Sequence, residues 1–191
     1  MTTVYFIRHA EPNYKNHDDQ SRELSPKGLQ AAQDLPRFFE NITIDAFYSS
    51  PFKRAIDTIL PLAKSREKEI DTIDKFRERQ ISKIWIEDFS RFAKTQWQDF
   101  TYHLDNSESL KQVQTRNIEA LNNLLVKHPH QTLVIGSHGT ALSTIVNYYQ
   151  PSFDYEDFLA IQHVFPWIVR LEFDGLTLLS MKDYKDLERP L

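Results

Sequence analysis

Apolar positions along the chain fall into two rhythms, short unbroken runs and helix-spaced pairs, and the two kinds of segment alternate. Val4-Tyr5-Phe6-Ile7, closed by the charge of Arg8, predicts a buried strand over residues 3–8. Leu24-Ser25-Pro26-Lys27-Gly28 opens a helix, with Ser25 as N-cap and Pro26 at the first helical position, running toward Phe39. A second strand is expected over 44–48, and Ser50-Pro51 repeats the cap-then-proline signal for a helix running toward Ala63. Residues 70–73 predict a short strand, and 84–103 carry a helical pattern rich in Trp, Phe and Tyr. Residues 109–127 form a long amphipathic helix with Val113, Ile118, Leu121, Leu124 and Leu125 on its apolar side. A strand over 132–136 and a helix over 140–149, stopped by Pro151, come next. Two strands, 164–173 and 176–181, are joined at Asp174-Gly175, a hairpin turn signal. Strand-like runs alternating with longer helical patterns give an α/β layer architecture.

The chain has 191 residues, with no internal repeat and no linker rich in Gly, Ser or Pro, so one domain with a sizeable core is expected over 1–191. A net charge of −4 argues against a nucleic-acid partner or an acidic membrane surface. If the ligand is an anion, its positive receptor must be local. There is no cysteine, which excludes disulfides and thiolate catalysis. The first apolar run is too short and lacks the leading basic residues of a signal peptide, and no run reaches membrane-spanning length; a cytoplasmic location is the expectation.

Three expected strand-to-helix junctions carry chemistry: Arg8-His9, Arg54 beyond Ser49-Ser50-Pro51, and Ser137-His138-Gly139. Ligands of open α/β sheets bind at the carboxyl ends of strands, where these residues fall. Arg54 and Lys53 sit in the first turn of their helix, where the dipole disfavours cations; a bound anion would reverse that penalty, and pairing with a carboxylate would also answer it. Only four glycines occur, and two of them, Gly136 and Gly139, bracket Ser137-His138. They allow a ligand close to the backbone at a helix N-terminus, or serve a tight turn needing positive φ.

Taken in order, these blocks resemble the histidine phosphatase superfamily, the clan of cofactor-dependent phosphoglycerate mutases and related phosphatases. Phe6-Ile7-Arg8-His9-Ala10-Glu11 resembles the family's Arg-His-Gly signature, with Ala in place of Gly. Tyr48-Ser49-Ser50-Pro51-Phe52-Lys53-Arg54-Ala55 followed by Thr58 matches its Ser-Ser-Pro…Arg-Ala…Thr block. Phe76-Arg77-Glu78-Arg79 resembles the segment that supplies an acid, Ser107-Glu108-Ser109 a helix opening, and Val134-Ile135-Gly136-Ser137-His138-Gly139 the second histidine block. The resemblance implies a mostly parallel central sheet with helices on both faces, a three-layer sandwich, with an aromatic-rich helical cap inserted at about 80–108.

It also implies the roles. His9 becomes a phosphohistidine, Arg8, Arg54 and His138 hold the phosphoryl oxygens, and Glu78 protonates the leaving oxygen and then activates water, with His138 counted among the catalytic groups. Asn13, Tyr14 and Asn16 follow the first motif at the distance where family members contact substrate, and Glu11 is a rival to Glu78 for the proton. No metal and no cofactor is implied, because guanidinium groups supply the positive charge that phosphoryl transfer needs. The family contains mutases and phosphatases; Pro12-Asn13 after the first motif, in place of the mutases' Ser and Trp, favours a phosphatase acting on a small phosphorylated metabolite. Mutase-type transfer and a phosphate-binding module without turnover are the alternatives. Neither the natural substrate nor the oligomeric state is legible at this level.

Overall fold

In the computed structural model, which describes residues 1–81 and 88–185, the first apolar run becomes β1 (Thr2–Arg8). Its period-two alternation builds two layers at once: Val4 and Phe6 enter one apolar cluster, Tyr5 and Ile7 the other, and all four are buried. After β1 come α1 (Pro26–Phe38), β2 (Ala46–Ser49), α2 (Lys53–Ser65), β3 (Ile70–Thr72) and a 3-10 turn at Asp74–Phe76. The remaining elements are α3 (Phe89–Gln98), α4 (Leu110–Lys127), β4 (Thr132–Ser137), α5 (Gly139–Tyr149), α6 (Tyr155–Ala160), β5 (Ile168–Asp174) and β6 (Thr177–Tyr184).

The strands form one six-stranded sheet in the order β3-β2-β4-β1-β5-β6. Pairings among the first four are parallel, while β5 runs antiparallel to β1 and β6 to β5. Leu35 and Phe38 of α1 pack with Ile59 and Leu62 of α2 on the Tyr5 face. Leu121 and Leu125 of α4 pack with Leu142 and Ile145 of α5 on the Val4 face. The sheet is thus sandwiched between helices, as expected. The expected cap at Ser25 forms, its hydroxyl accepting the Gly28 N–H at 3.0 Å, and Ser109, where the long helix was expected to start, makes a reciprocal capping box with Gln112.

Other boundaries differ from the sequence reading for local reasons. Strand β2 begins at Ala46, two residues beyond the expected 44, and α2 begins at Lys53 with Phe52 as its cap residue. Ser50 is therefore not a helix cap. Its hydroxyl accepts the Phe52 N–H at 3.2 Å and meets His138 Nε2 at 2.7 Å. Strand β5 begins at Ile168 instead of 164, because Pro166 brings no N–H to a ladder and the carbonyls of Ile161 and Val164 turn to Arg8. Of the helical stretch expected over 84–103, the described residues form α3, started by Asp88 accepting the Arg91 N–H at 2.9 Å; residues 84–87, Trp85 among them, and part of the expected cap lie outside the described residues. Trp97 ties α3 to the core, with its ring 5.8 Å from Phe153 and 5.5 Å from Phe158. Among the described residues no helix is long and apolar enough to cross a membrane.

Candidate active site

Strands β1 and β4 are neighbours in parallel register, Arg8 opposite Ser137. The residues that follow them therefore emerge side by side: the rings of His9 and His138 meet edge to face, 5.4 Å apart. The backbone is stitched across the junctions, with His9 N–H donating to Ser137 O at 3.0 Å and Ser50 N–H to Gly136 O at 2.9 Å. All three junctions picked out by sequence thus meet at the carboxyl ends of three adjacent parallel strands, β2, β4 and β1.

His9 is buried, and its Nδ1 lies 2.8 Å from the carbonyl oxygen of Ala10. A carbonyl only accepts, so neutral His9 carries its proton on Nδ1 and leaves the Nε2 lone pair free. Burial first, and then the positive charges of Arg54 and Arg8, push its pKa well below the ordinary value of 6.5. His138 is fully buried behind it, with its pKa pushed down by burial and by the same Arg54. It does not line the cleft, and its Nδ1 has no partner among the described residues.

Arg8 is gripped from one side. Its Nη1 donates to Ile161 O at 2.6 Å and Val164 O at 3.2 Å, and its Nη2 to Gln162 O at 3.1 Å. Of its five N–H groups this leaves Nε–H, buried without a partner among the described residues, and one hydrogen of Nη2. Those two form the side-on fork that suits a pair of phosphoryl oxygens. The guanidinium carbon lies 4.0 Å from the centroid of the Phe165 ring, which also stacks on His9. Burial lowers the Arg8 pKa to about 10, which leaves it charged near neutrality. A Cβ on Gly139 would lie 3.1 Å from Arg8 Nε, so this glycine is needed for close approach. Positive φ is not the reason, since Gly175 is the only glycine with it among the described residues.

Arg54, almost fully buried in the first turn of α2, has its Nη2 3.0 Å from the Asp19 carboxylate, and its Nη1 donates to the Asp19 carbonyl. The dipole penalty expected for this cation is thus met by a carboxylate from the 13–22 loop. Lys53 beside it pairs with Asp57 at 2.7 Å.

Glu78 reaches the same cleft. Its Oε2 accepts the Thr140 N–H at 3.0 Å, and its Oε1 accepts from Ala141 at 3.0 Å and Arg79 at 2.8 Å. It thereby caps the helix that begins just after His138. Its rival Glu11 faces away, accepting the Ser25 hydroxyl at 2.7 Å near the start of α1, and does not line the cleft. Asn13 and Asn16 do not line it either: both side-chain amides donate to the carboxylate of Glu23, whose pKa is held down to about 2 chiefly by Asn16. Of that group Tyr14 does line the cleft, and the loop the two asparagines brace adds Asp19 and Arg22 to it.

The cleft itself measures about 1220 Å³ and is lined by five arginines and four carboxylates, a locally positive balance in a chain of net charge −4. Two buried histidines and two buried arginines gathered where parallel strands end correspond to one known family. The histidine phosphatase superfamily (branch 1) matches residues 4–182. The chain belongs to that superfamily. It is an enzyme of the histidine phosphatase type. The chain is 26% identical over 153 residues to phosphoserine phosphatase 1 of Hydrogenobacter thermophilus, covering 72% of this chain and 71% of that protein. It is 26% identical over 160 residues to the metal-independent phosphoserine phosphatase of Arabidopsis thaliana, covering 76% and 67%. In fold it superposes on Bacillus stearothermophilus YhfR with a TM-score of 0.79 and 24% identity, covering 94% of this chain and 95% of that one.

Three residues gain importance in the histidine phosphatase site that the sequence reading gave them no role in. Thr58 bridges the loop after β1 to α2, accepting the Ala10 N–H at 2.9 Å and donating to Arg54 O at 2.7 Å. Its place in the Ser-Ser-Pro…Arg-Ala…Thr block was the available signal. Ser50, in the same block, holds His138. Phe165 had no signal, since nothing in its neighbourhood marks it as a partner of residues at the other end of the chain.

Proposed function

We propose that this protein hydrolyses a small phosphomonoester through a phosphohistidine formed on Nε2 of His9. The observation that carries this is the tautomer: a neutral, buried imidazole with Nδ1–H given to the Ala10 carbonyl has its free lone pair on Nε2, beside the unfilled fork of Arg8. In the first step the Nε2–P bond forms as the bond from phosphorus to the leaving oxygen breaks, and Glu78 gives that oxygen its proton. Oε2 is the atom suited to carry the proton, because it accepts one N–H where Oε1 accepts two. In the second step Glu78 takes a proton from water, whose oxygen attacks phosphorus and returns His9 to its neutral form with release of inorganic phosphate. Arg8 and Arg54 balance the charge on the non-bridging oxygens, and His138, braced by Ser50, backs the nucleophile. Phe89 of α3 and Phe158 of α6 also line the cleft and contact the leaving group in this reading.

The naming of curated relatives as phosphoserine phosphatases makes phosphoserine the first substrate to try. The deciding experiment is a panel of phosphomonoesters, phosphoserine and 3-phosphoglycerate among them, assayed in EDTA with wild type and His9→Ala. Release of phosphate by wild type alone, together with an acid-labile phosphoryl adduct trapped on the wild-type chain, is the expected result. Equal activity of His9→Ala would overturn the mechanism. Isomerisation of 3-phosphoglycerate in the presence of its bisphosphate would replace hydrolysis with mutase transfer, and phosphate binding without turnover would make the protein a binding module.

A further inference from the structure

The pocket assigned to phosphate already holds an anion of the protein's own. Burial pushes down the pKa of His9, His138 and Arg8, and the charge of Arg54 adds to the effect on each, a mark of cationic and ionisable groups packed together. Among the described residues the carboxylate paired with Arg54 is Asp19, at 3.0 Å. The same Oδ1 atom lies 3.3 Å from Nη1 of Arg22, so one oxygen is shared by two guanidinium groups. Asp19 is 50% exposed whereas Arg54 is 4% exposed, so water can take up the carboxylate while the arginine stays in place. The loop is docked on α2 by a further contact, Lys53 N–H to Gln20 O at 2.9 Å.

We propose that Asp19 stands in for phosphate on Arg54 in the empty site and sets how tightly phosphate is held. This rests on the reading of the cleft as a phosphate pocket. An incoming phosphoryl group takes Arg54, and Asp19 swings onto Arg22, its second partner, so the displaced carboxylate is not left without a counter-charge. When hydrolysis has left inorganic phosphate in the pocket, the return of Asp19 to Arg54 competes with it and favours release. The loop of residues 13–22 is therefore coupled to occupancy of the site.

The test is inhibition by inorganic phosphate in wild type, Asp19→Asn and Asp19→Ala, with thermal unfolding of each protein in the presence and absence of phosphate. An exposed ion pair of this kind corresponds to a Ki for phosphate lowered by roughly three- to fivefold in both variants. The melting temperature without phosphate falls, and phosphate raises it further in the variants than in wild type. An unchanged Ki overturns the proposal, and a raised Ki makes Asp19 a brace that orients Arg54 for substrate. Both outcomes leave the phosphate pocket standing. Phosphate that neither inhibits nor stabilises any of the three proteins would overturn the pocket assignment together with the role of Asp19.

Discussion

Glu78 and Thr140 are joined by a hydrogen bond of 3.0 Å from the Thr140 N–H to Oε2, and with the matching contact to Ala141 it closes the helix end beside His138. The proposed proton donor is therefore also a structural cap, and the two duties separate by substitution. Glu78→Gln keeps an oxygen for the helix but has no acidic proton. Turnover of an alkyl phosphate is expected to fall by about 10² to 10⁴, less for an aryl phosphate with a good leaving group, with little change in melting temperature. Glu78→Ala loses the cap too, at roughly 1 kcal/mol, read as a drop in the urea midpoint. Near-wild-type turnover by Glu78→Gln would move the acid role elsewhere.

The two histidines make stability depend on pH in a definite direction. Unfolded, each takes up a proton near pH 6.5; folded, each resists it because burial and Arg54 disfavour the charge. Below pH 6.5 the unfolded state binds more protons, so stability is intact above that value and is lost as the pH falls, at up to about 2.7 kcal/mol per unit for two groups. The carboxylates of Glu23 and Glu108, both held down to about 2, act only below the usual Glu range and leave this window to the histidines. Urea midpoints at pH 7.5, 6.5 and 5.5 measure it, and a flat profile would contradict the assignment. His9 should also stay nucleophilic at pH 5.5, where a free imidazole is mostly protonated.

Phe165 lies under both Arg8 and His9. Replacing it with Leu removes the aromatic face but keeps apolar bulk. We expect kcat/KM to fall by roughly 3- to 30-fold, with Phe165→Tyr close to wild type. Equal losses in both variants would show that bulk alone matters there.

Two glycines separate folding from catalysis. At Gly28 a Cβ would sit 2.1 Å from the Glu11 carbonyl oxygen, a backbone atom that cannot step aside, so Gly28→Ala should destabilise by about 1–3 kcal/mol. At Gly139 the nearest atoms belong to the Arg8 guanidinium, so Gly139→Ala should displace that side chain and raise KM with a smaller loss of stability. Melting curves and KM values for the two variants check the contrast, and the reverse pattern would sink it.

The parts of the site legible in the sequence were those built by local signals. Arg8-His9 and Ser137-His138 stand where apolar runs stop, and adjacency of β1 and β4 then joins them. The capping signal at Ser25 also acts within a turn of helix and formed as expected. Ser50 shows the limit: a serine before proline looks like a cap in any sequence, and only the position of His138, 88 residues away, turns it to another use. Asn13 and Asn16 failed for a similar reason, since Glu23 folds back to claim both amides. The grip of Ile161, Gln162 and Val164 on Arg8 spans more than 150 residues and uses backbone carbonyls, which every residue has.

Strand β1 lies between β4 and β5, whose residues come from 132–137 and 168–174. The strand leading into Arg8 and His9 therefore gains its second neighbour only where residues 168–174 fold back across it, antiparallel. The Arg8 side chain shares that dependence, since the carbonyls that hold it belong to Ile161, Gln162 and Val164, just ahead of β5. Sheet and site thus share one closure, the docking of β5 on β1.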